Sequence, residues 1–316
     1  MTTREARERR QGAQISDLHA RLVDVIGRWT EGKEDWQTPI ANLLLFRRES
    51  PTQLCSCKVE PSLVLVVQGA KQLLIGDRAY AYDPEHFLIN SLDIPASSQV
   101  LEASPQKPCF GLGIKLDLRA VAELIAQSGL QPPRQRVSDG SSALGILTSD
   151  LLEPFTRLLA LLDEPKAIPV LAPLVEREIL YRLLTSDQAG RLWQIASVGS
   201  QGQRIARAID WLRSNYSQPL HIEELATYVQ MSTSNLHHYF RKLTAMSPLQ
   251  YQKWLRLHEA RHLMLNERLD AATAAFQVGY ESPSQFSREY GRLFGAPPKR
   301  DIVVLRLQAN GTEIRE

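Results

Sequence analysis

The chain has 316 residues, 43% of them hydrophobic and 23% charged, which suits a folded globular protein large enough for two ordinary domains. Its three cysteines are too few for a disulfide framework, and its charged N-terminus lacks the apolar segment of a signal peptide. No apolar run approaches the roughly 20 residues of a membrane helix. We therefore expect a cytoplasmic protein without a membrane partner.

Charge is distributed unevenly along the chain. Residues 201–316 hold 15 basic against 11 acidic side chains, whereas the preceding part is slightly acidic by difference from the net charge of +2. Five of the seven histidines also lie in the basic part. This asymmetry suits a polyanionic partner at one end of the molecule only.

The first predicted element is an amphipathic helix over residues 15–29, and a region with the apolar alternation of β-strands follows over residues 42–115. Short apolar runs recur through that region, and Gly76-Asp77 stands between two of them where a tight hairpin turn would lie. Several short strands separated by turn residues predict a small antiparallel barrel or sandwich.

Helical periodicity returns from Asp117, the expected N-cap, to Gly129, the expected C-terminal glycine. Residues 131–142 are rich in Pro, Gly, Ser and Arg and are expected to form a loop. Two further helices are predicted at about 149–162 and 169–185. Their wide leucine stripes could pack on the barrel, on each other or on a second subunit.

The next segment, residues 186–203, has scattered Gly, Ser and Gln and is the best candidate for an interdomain linker. We therefore expect an N-terminal domain over residues 1–190, with a barrel at about 40–115 and helices at about 117–185. A linker over 191–203 and an all-helical domain over 204–306 should follow.

An internal repeat lies in the helical part. Residues 232–243 and 282–293 align without a gap at a constant offset of 50 residues, and a proline follows each copy. The aligned pairs include Ser232 with Ser282, Leu236 with Phe286, Phe240 with Tyr290, Lys242 with Arg292 and Leu243 with Leu293. A fixed internal spacing is typical of a duplicated structural unit.

Each copy predicts a helix with one buried and one polar face. The buried stripes are expected at Leu236, Phe240 and Leu243 and at Phe286, Tyr290 and Leu293. A short helix precedes each copy, at residues 222–228 and 271–276, so the pattern is that of two helix-turn-helix motifs over 222–243 and 270–293. A plain helical bundle is the alternative, but two units in register within the basic part favour DNA.

The chain resembles the AraC/XylS family over about residues 203–306. The residues that carry the resemblance are Leu225-Ala226, Ser232, Leu236, Phe240-Arg241-Lys242, Ser247-Pro248, Arg256-Leu257, Ala260, Leu263, Val278-Gly279-Tyr280 and Phe294-Gly295-Ala296-Pro297-Pro298. Ala245 departs from the pattern, since the family usually has Gly there. If that turn needs a positive φ, alanine costs roughly 1 kcal/mol.

Residues 42–126 resemble the cupin-like sensor domain of one AraC-type subgroup, through Gln68-Gly69-Ala70-Lys71, Tyr82-Asp83-Pro84 and Ser91-Leu92-Asp93-Ile94-Pro95. The resemblance implies an α+β fold, with a cupin-like antiparallel β-barrel and helices followed by an all-α domain of two helix-turn-helix motifs joined by a long helix. It also implies a transcription regulator of operator or promoter DNA, a small-molecule effector in the barrel, a homodimer and contact with RNA polymerase. Neither the effector nor the choice between activation and repression follows from it.

Site residues follow by family position. The base-reading candidates are Ser234, His237, His238, Ser284, Gln285 and Arg288. The phosphate-contact candidates are Ser232, Arg241, Lys242, Ser282, Arg292 and Lys299. Arginine can pair bidentately with guanine and glutamine with adenine, whereas phosphate contacts carry no sequence information.

Two enzyme classes compete with this interpretation. His258-Glu259-Ala260-Arg261-His262 matches the H-E-x-x-H zinc motif, but a third ligand would have to be Glu281 or Glu289, and we expect His258 and His262 near the wet face of a connecting helix. A metal-dependent cupin needs a cluster of His and Glu, and the strand region holds only His86. We therefore expect no catalytic residue, metal or cofactor.

The cysteines allow two interpretations. Cys55 and Cys57 would share one face of a strand without a second pair to complete a zinc site. Buried core residues are one interpretation, and a sensor thiol with a low pKa at Cys55, Cys57 or Cys109 is the other.

Overall fold

The computed structural model describes residues 3–133, 140–197 and 199–309. The chain divides into two compact units, Met1–Gln203 and Arg204–Glu316, and the division falls inside one helix. None of the described helices combines the length and apolarity needed to cross a bilayer.

The N-terminal unit combines ten described strands with helices. The helices are α1 (Thr3–Trp29), α2 (Leu118–Ser128), α3 (Ser149–Ala160), α4 (Ile168–Leu184) and α5 (Ala189–Ala196). The strands are β1 (Asp35–Gln37), β2 (Leu43–Arg48), β3 (Cys55–Val59), β4 (Ser62–Gln68), β5 (Ala70–Ile75), β6 (Arg78–Tyr82), β7 (His86–Asn90), β8 (Ile94–Glu102), β9 (Cys109–Lys115) and β10 (Ser142–Ile146). They form antiparallel sheets with the orders β1-β2-β9-β4-β7-β10 and β3-β8-β5-β6.

The six-stranded sheet is covered on both faces. Leu43 and Leu45 of β2 belong to the core that this sheet forms with α1, α3 and α4. Leu44 and Phe46 alternate with them and face the other side, because successive strand residues point to opposite faces. The same alternation recurs in β4, β7 and β9, so one face packs on helices and the other faces the interior between the sheets.

Local signals placed several elements correctly. Asp117 caps α2 by accepting hydrogen bonds from the backbone N–H groups of Arg119 and Ala120, and Gly129 ends it at φ +65°. The hairpin at Gly76 joins β5 and β6, with Gly76 at φ +60°.

Other elements differ from the sequence-based expectation. Helix α1 begins at Thr3 rather than at residue 15, since residues 3–14 are rich in Arg, Glu, Gln and Ala, which favour a helix without an apolar stripe in the sequence. The sequence pattern does not predict strand β10, whose first residue, Ser142, lies in the expected loop over residues 131–142. The strand forms because residues 142–146 pair with β7, a long-range contact that leaves no local pattern. Residues 134–139 of that expected loop lie outside the described residues.

The expected linker also contains more structure than its composition suggests. Helix α5 includes residues 191–196, and Arg191 and Leu192 within it are buried in the N-terminal unit. The next helix begins at residue 201. Only residues 197–200 separate these two helices, and residue 198 lies outside the described ranges.

The C-terminal unit is helical throughout its described residues. Its helices are α6 (Gln201–Ser214), α7 (Ile222–Tyr228), α8 (Thr233–Thr244), α9 (Pro248–Asn266), α10 (Ala271–Gln277), α11 (Pro283–Phe294) and α12 (Pro298–Ala309). Helices α7 and α8 form one helix-turn-helix, α10 and α11 form the other, and α9 connects them.

The two turns have the same hydrogen bonds. Gln230 and Gly279 have φ values of +58° and +90°, and each donates its backbone N–H to a carbonyl three residues earlier. These turn residues are 49 positions apart, whereas the helices that follow are 50 apart. The second copy therefore has one extra residue between the turn and α11.

Gly111 and Gly113 of β9 provide a matched pair. A Cβ at Gly111 would lie 2.2 Å from the Leu65 carbonyl oxygen and 2.3 Å from Cζ of Phe46, whereas a Cβ at Gly113 would meet nothing within 4 Å. Gly111→Ala should lower the free energy of unfolding by about 1–3 kcal/mol. Gly113→Ala should leave it unchanged or raise it by about 0.5 kcal/mol. Urea unfolding of the full chain measures both, and equal effects would contradict the assignment.

Ala245 and Gly295 end α8 and α11 at φ +61° and +78°. Ala245→Gly should raise the free energy of unfolding by about 1 kcal/mol, because glycine adopts this conformation without strain. Gly295→Ala should lower it by a similar amount, since the added Cβ would meet no atom within 4 Å and only the conformational preference changes. Chemical denaturation measures the free energy of unfolding of both variants. A shift of the same sign in both would show that the backbone φ angle does not determine the effect of these substitutions.

Candidate nucleic-acid interface and barrel cavity

Helix α8 has the buried and polar faces expected of a recognition helix. Leu236, Phe240 and Leu243 are buried, and Phe240 packs edge-on against Tyr251 of α9 at 5.6 Å between ring centroids. The base-reading candidates of this helix are exposed: Ser234, His237 and His238. Its outer face is therefore accessible to a partner.

Helix α11 repeats this arrangement with one difference. Phe286 and Tyr290 are fully buried, but Leu293, expected in the same stripe, is only partly buried. The candidates Ser284, Gln285 and Arg288 are exposed.

The phosphate-contact candidates fall into two groups. Arg241, Lys242, Arg292 and Lys299 lie on α8, α11 and α12, and all four are exposed. Ser232 and Ser282 instead cap α8 and α11, each accepting a hydrogen bond from the backbone N–H three residues later at 3.3 Å. Both serines therefore also stabilise the start of a recognition helix.

Helix α9 is held by side chains to which the sequence pattern assigns no structural role. The Arg256 guanidinium donates to the carbonyl oxygens of Tyr216 at 2.7 Å, Gly279 at 2.8 Å and Gln218 at 2.9 Å. The Gln252 amide also donates to the Tyr216 and Gln218 carbonyls. These bonds tie α9 to the loop after α6 and to the second turn. A Cβ at Gly279 would lie 2.1 Å from the Ser217 carbonyl, so glycine permits this close approach.

A second cluster joins α9, α11 and α12. Arg261 pairs bidentately with the buried Asp301 at 2.8 and 2.9 Å, and the Tyr290 hydroxyl donates to the same carboxylate at 2.7 Å. The Arg261 guanidinium also lies 4.3 Å from the ring centroid of Phe294. In the sequence, Arg261 lies inside the H-E-x-x-H pattern, and that pattern does not indicate this pairing with Asp301.

Glu289 accepts three hydrogen bonds beside the candidate Gln285. The donors are Lys253 Nζ at 2.9 Å, the Tyr280 hydroxyl at 2.8 Å and the Gln285 amide at 3.1 Å. Burial alone would raise the pKa of the Glu289 carboxyl, but these donors lower it below its ordinary value. The Gln285 amide nitrogen is therefore already engaged by a carboxylate.

The H-E-x-x-H residues are distributed differently from a zinc site. His258, expected near the wet face, is partly buried between Trp254 at 4.2 Å and Phe294 at 5.0 Å, measured between ring centroids. His262 is exposed, and its Nδ1 lies 3.7 Å from a Glu259 carboxylate oxygen. In the described ranges, no three His, Cys, Asp or Glu side chains are grouped to hold a metal ion.

Two of the three candidate sensor thiols do not have the low pKa that a reactive thiol needs. Burial raises the pKa of both Cys57 and Cys109 to about 11, so both remain protonated at neutral pH. Cys55 is exposed on β3. The alternative interpretation, that the cysteines are buried core residues, describes Cys109 but not Cys55.

A cavity of about 500 Å³ lies between the two sheets of the N-terminal unit. Both sheets line it with a mixture of apolar and polar side chains. The main lining residues are Leu44, Phe46, Val64, Leu88, Asn90, Gly113, Cys57, Lys58, Lys71, Leu73 and Tyr82. Small-molecule sites in proteins commonly have this size and composition.

Two protein families match the chain. The family described as AraC-type transcriptional regulator N-terminus matches residues 39–191, and the one described as helix-turn-helix domain matches residues 225–301. The activator RhaS of Pectobacterium carotovorum is 26% identical over 246 residues, which are 75% of this chain and 83% of RhaS. The regulator CdhR of Pseudomonas aeruginosa is 31% identical over 134 residues, which are 42% of this chain but only 40% of CdhR.

Solved structures of ToxT from Vibrio cholerae share the fold. An apo form of a ToxT variant has a TM-score of 0.55 at 10% identity, covering 84% of this chain and 99% of ToxT. A form described as bound to unsaturated fatty acid has a TM-score of 0.52 at 9% identity, covering 83% of this chain and 93% of that one. The expected α+β fold, with N-terminal antiparallel sheets and a helical C-terminal domain, is confirmed.

The N-terminal match is to a domain of transcriptional regulators, and the C-terminal match is to a DNA-binding domain type. The residues of the second match, 225–301, include most of the duplicated helix-turn-helix. The enzyme alternatives receive no support from these matches. The chain belongs to the AraC/XylS family of DNA-binding transcription regulators and is not an enzyme.

Proposed function

We propose that the protein reads a specific operator in double-stranded DNA with both recognition helices of one chain. The observation that carries this proposal is the exposure of the same polar face on α8 and α11, opposite inner faces that are buried at two of three aligned positions in both helices. Ser234, His237 and His238 read bases from α8, and Ser284, Gln285 and Arg288 do so from α11. Two such helices can enter successive major grooves, which recur about every 34 Å along one duplex face.

Backbone contacts supply the affinity in this proposal. Arg241, Lys242, Arg292 and Lys299 contact phosphates, with Ser232 and Ser282 at the helix N-termini. We also propose that the protein lies in the cytoplasm, where a bacterial operator would be found. Contact with RNA polymerase is a further proposal, and it rests on the family resemblance. A genome-wide footprint would identify the operators on which the following variants can be tested.

We further propose that the barrel cavity binds a small-molecule effector. Its size suits a small organic molecule, and ToxT, which has the same fold, is described with a bound unsaturated fatty acid. The N-terminal unit, taken at about residues 1–190, would then be the sensor, and residues 204–306 the DNA-binding domain.

A homodimer is proposed through α4. The leucines predicted on α3 are buried within their own unit, whereas Val170 and Leu174 of α4 are 66% and 62% exposed. Leu171 and Tyr181 of the same helix are each 41% exposed. Exposed apolar residues clustered on a helix are typical of a protein-protein contact, and in a twofold dimer the same surface serves both subunits.

Replacing Arg288 by alanine should weaken binding to the operator by about 1–3 kcal/mol and relax the preference at one base pair, because a base contact carries sequence information. Arg241→Ala is the matched control on the other recognition helix. It should weaken binding to operator and random duplexes by the same factor and reduce the slope of log K against log salt concentration by about 1. Fluorescence anisotropy over a salt series measures both, and equal loss on operator and random DNA for Arg288→Ala would refute its assignment.

Leu174→Glu should convert the dimer to a monomer, because it places a charge in the centre of the proposed apolar contact. Ile146→Glu is the control, since Ile146 is 62% exposed on β10, outside α4. Sedimentation velocity at micromolar concentration reports the mass of each variant. A wild-type monomer, or a dimer that survives Leu174→Glu, would rule out this interface.

A further inference from the structure

Lys71 places a positive charge inside the barrel cavity. It lines the cavity from β5, and its Nζ lies 4.2 Å from the ring centroid of the buried Phe46 on the opposite sheet. Burial lowers the pKa of the Lys71 amine below its ordinary value. The fold therefore holds a cation where solvation is poor, at a free-energy cost that a bound anion would recover.

The groups around Lys71 do not neutralise it. The charged neighbours are Asp35 and Arg48, which form an ion pair with each other at 2.8 Å and so largely cancel. Cys57 and Cys109 are the other titratable neighbours, and their thiols are uncharged at neutral pH because burial raises the pKa of each to about 11. Within the described part of the chain, no carboxylate forms an ion pair with Lys71.

The other two lysines of the cavity are already paired. Lys115 Nζ lies 2.5 Å from a Glu60 carboxylate oxygen, and Lys58 Nζ lies 3.3 Å from carboxylate oxygens of both Glu60 and Asp93. These side chains differ from Lys71 in having carboxylate partners supplied by the fold. Lys71 is thus the cavity lysine best placed to receive an anion from outside.

Gly113 is an independent indication of a ligand. It faces the cavity from β9, its backbone has no positive φ, and a Cβ built there would meet nothing within 4 Å. Neither conformation nor packing within the protein therefore requires glycine at this position, unlike Gly111. Glycine weakens a strand, and one reason to have it there is that it lets a ligand approach the backbone closely.

We propose that the cavity binds a small carboxylate with an apolar body, the carboxylate at the Lys71 ammonium and the body over Gly113 between Phe46 and Leu88. Tyr82 is the register partner of Lys71 on the neighbouring strand and also lines the cavity, so its hydroxyl is placed to donate a second hydrogen bond. This proposal rests on the proposed effector function of the barrel and names the chemical class of the effector.

Isothermal titration calorimetry of the full chain tests it with matched probes. The probes are fatty carboxylates from butanoate to decanoate, benzoate and naphthoate, each compared with its primary amide. At least one carboxylate should bind about tenfold or more tightly than its amide, because only the carboxylate forms a charge-assisted bond with Lys71. Lys71→Met should abolish that preference while leaving amide binding unchanged.

Two variants act as controls. Lys58→Met removes a cavity lysine that is already paired, so the preference for carboxylate should persist. Gly113→Val fills the space over β9 and should weaken the binding of carboxylate and amide by the same factor. Thermal unfolding verifies that each variant is folded. Absence of carboxylate binding at millimolar concentration, equal binding of amide, or a preference that survives Lys71→Met would each overturn the proposal.

Operator binding separates this proposal from the function on which it rests. Wild-type protein that binds its operator but no carboxylate refutes the carboxylate site alone. Protein that binds carboxylates but no specific DNA refutes the proposed operator reading and leaves the ligand site standing.

Discussion

The hydrogen bonds that fix α9 determine how the DNA-binding unit can work. Two recognition helices on one chain read a defined operator only if the helix between them keeps a fixed position relative to both. Arg256 achieves this by donating to backbone carbonyls of the loop after α6 and of the second turn. Backbone acceptors do not change rotamer, so the arrangement is more rigid than one made between two side chains. Arg261 and Asp301 add a bidentate pair farther along the helix.

The N-terminal unit depends on a different constraint, the alternation of side chains along the strands of one sheet. Leu43 and Leu45 pack on helices, while Leu44 and Phe46 face the cavity. A core that is complete on one face allows the other face to remain partly open, because stability does not depend on filling it. Because the two faces of the sheet are packed differently, a small domain has both a well-packed core and a cavity of about 500 Å³.

Sequence reasoning reached the features that have local or periodic causes. The caps of α2, the hairpin at Gly76 and the buried stripes of α8 and α11 depend on residues a few positions apart. Features with long-range causes were missed. Strand β10 exists because it pairs with β7, and the environment of His258 is created by Phe294, which is distant in the chain. Gly111 and Gly113 are indistinguishable in sequence, since only the neighbouring Phe46 and Leu65 separate a steric requirement from an empty space.

The hydrogen bond from Gln285 to Glu289 has a consequence for the freedom of the Gln285 side chain. An amide nitrogen has two N–H groups, so one can stay on the Glu289 carboxylate while the other and the carbonyl oxygen remain available to a partner. The carboxylate thus restricts the rotamers of Gln285 before any partner binds. In the proposed complex with DNA, less side-chain entropy would therefore be lost at Gln285 than at a glutamine that is free to rotate.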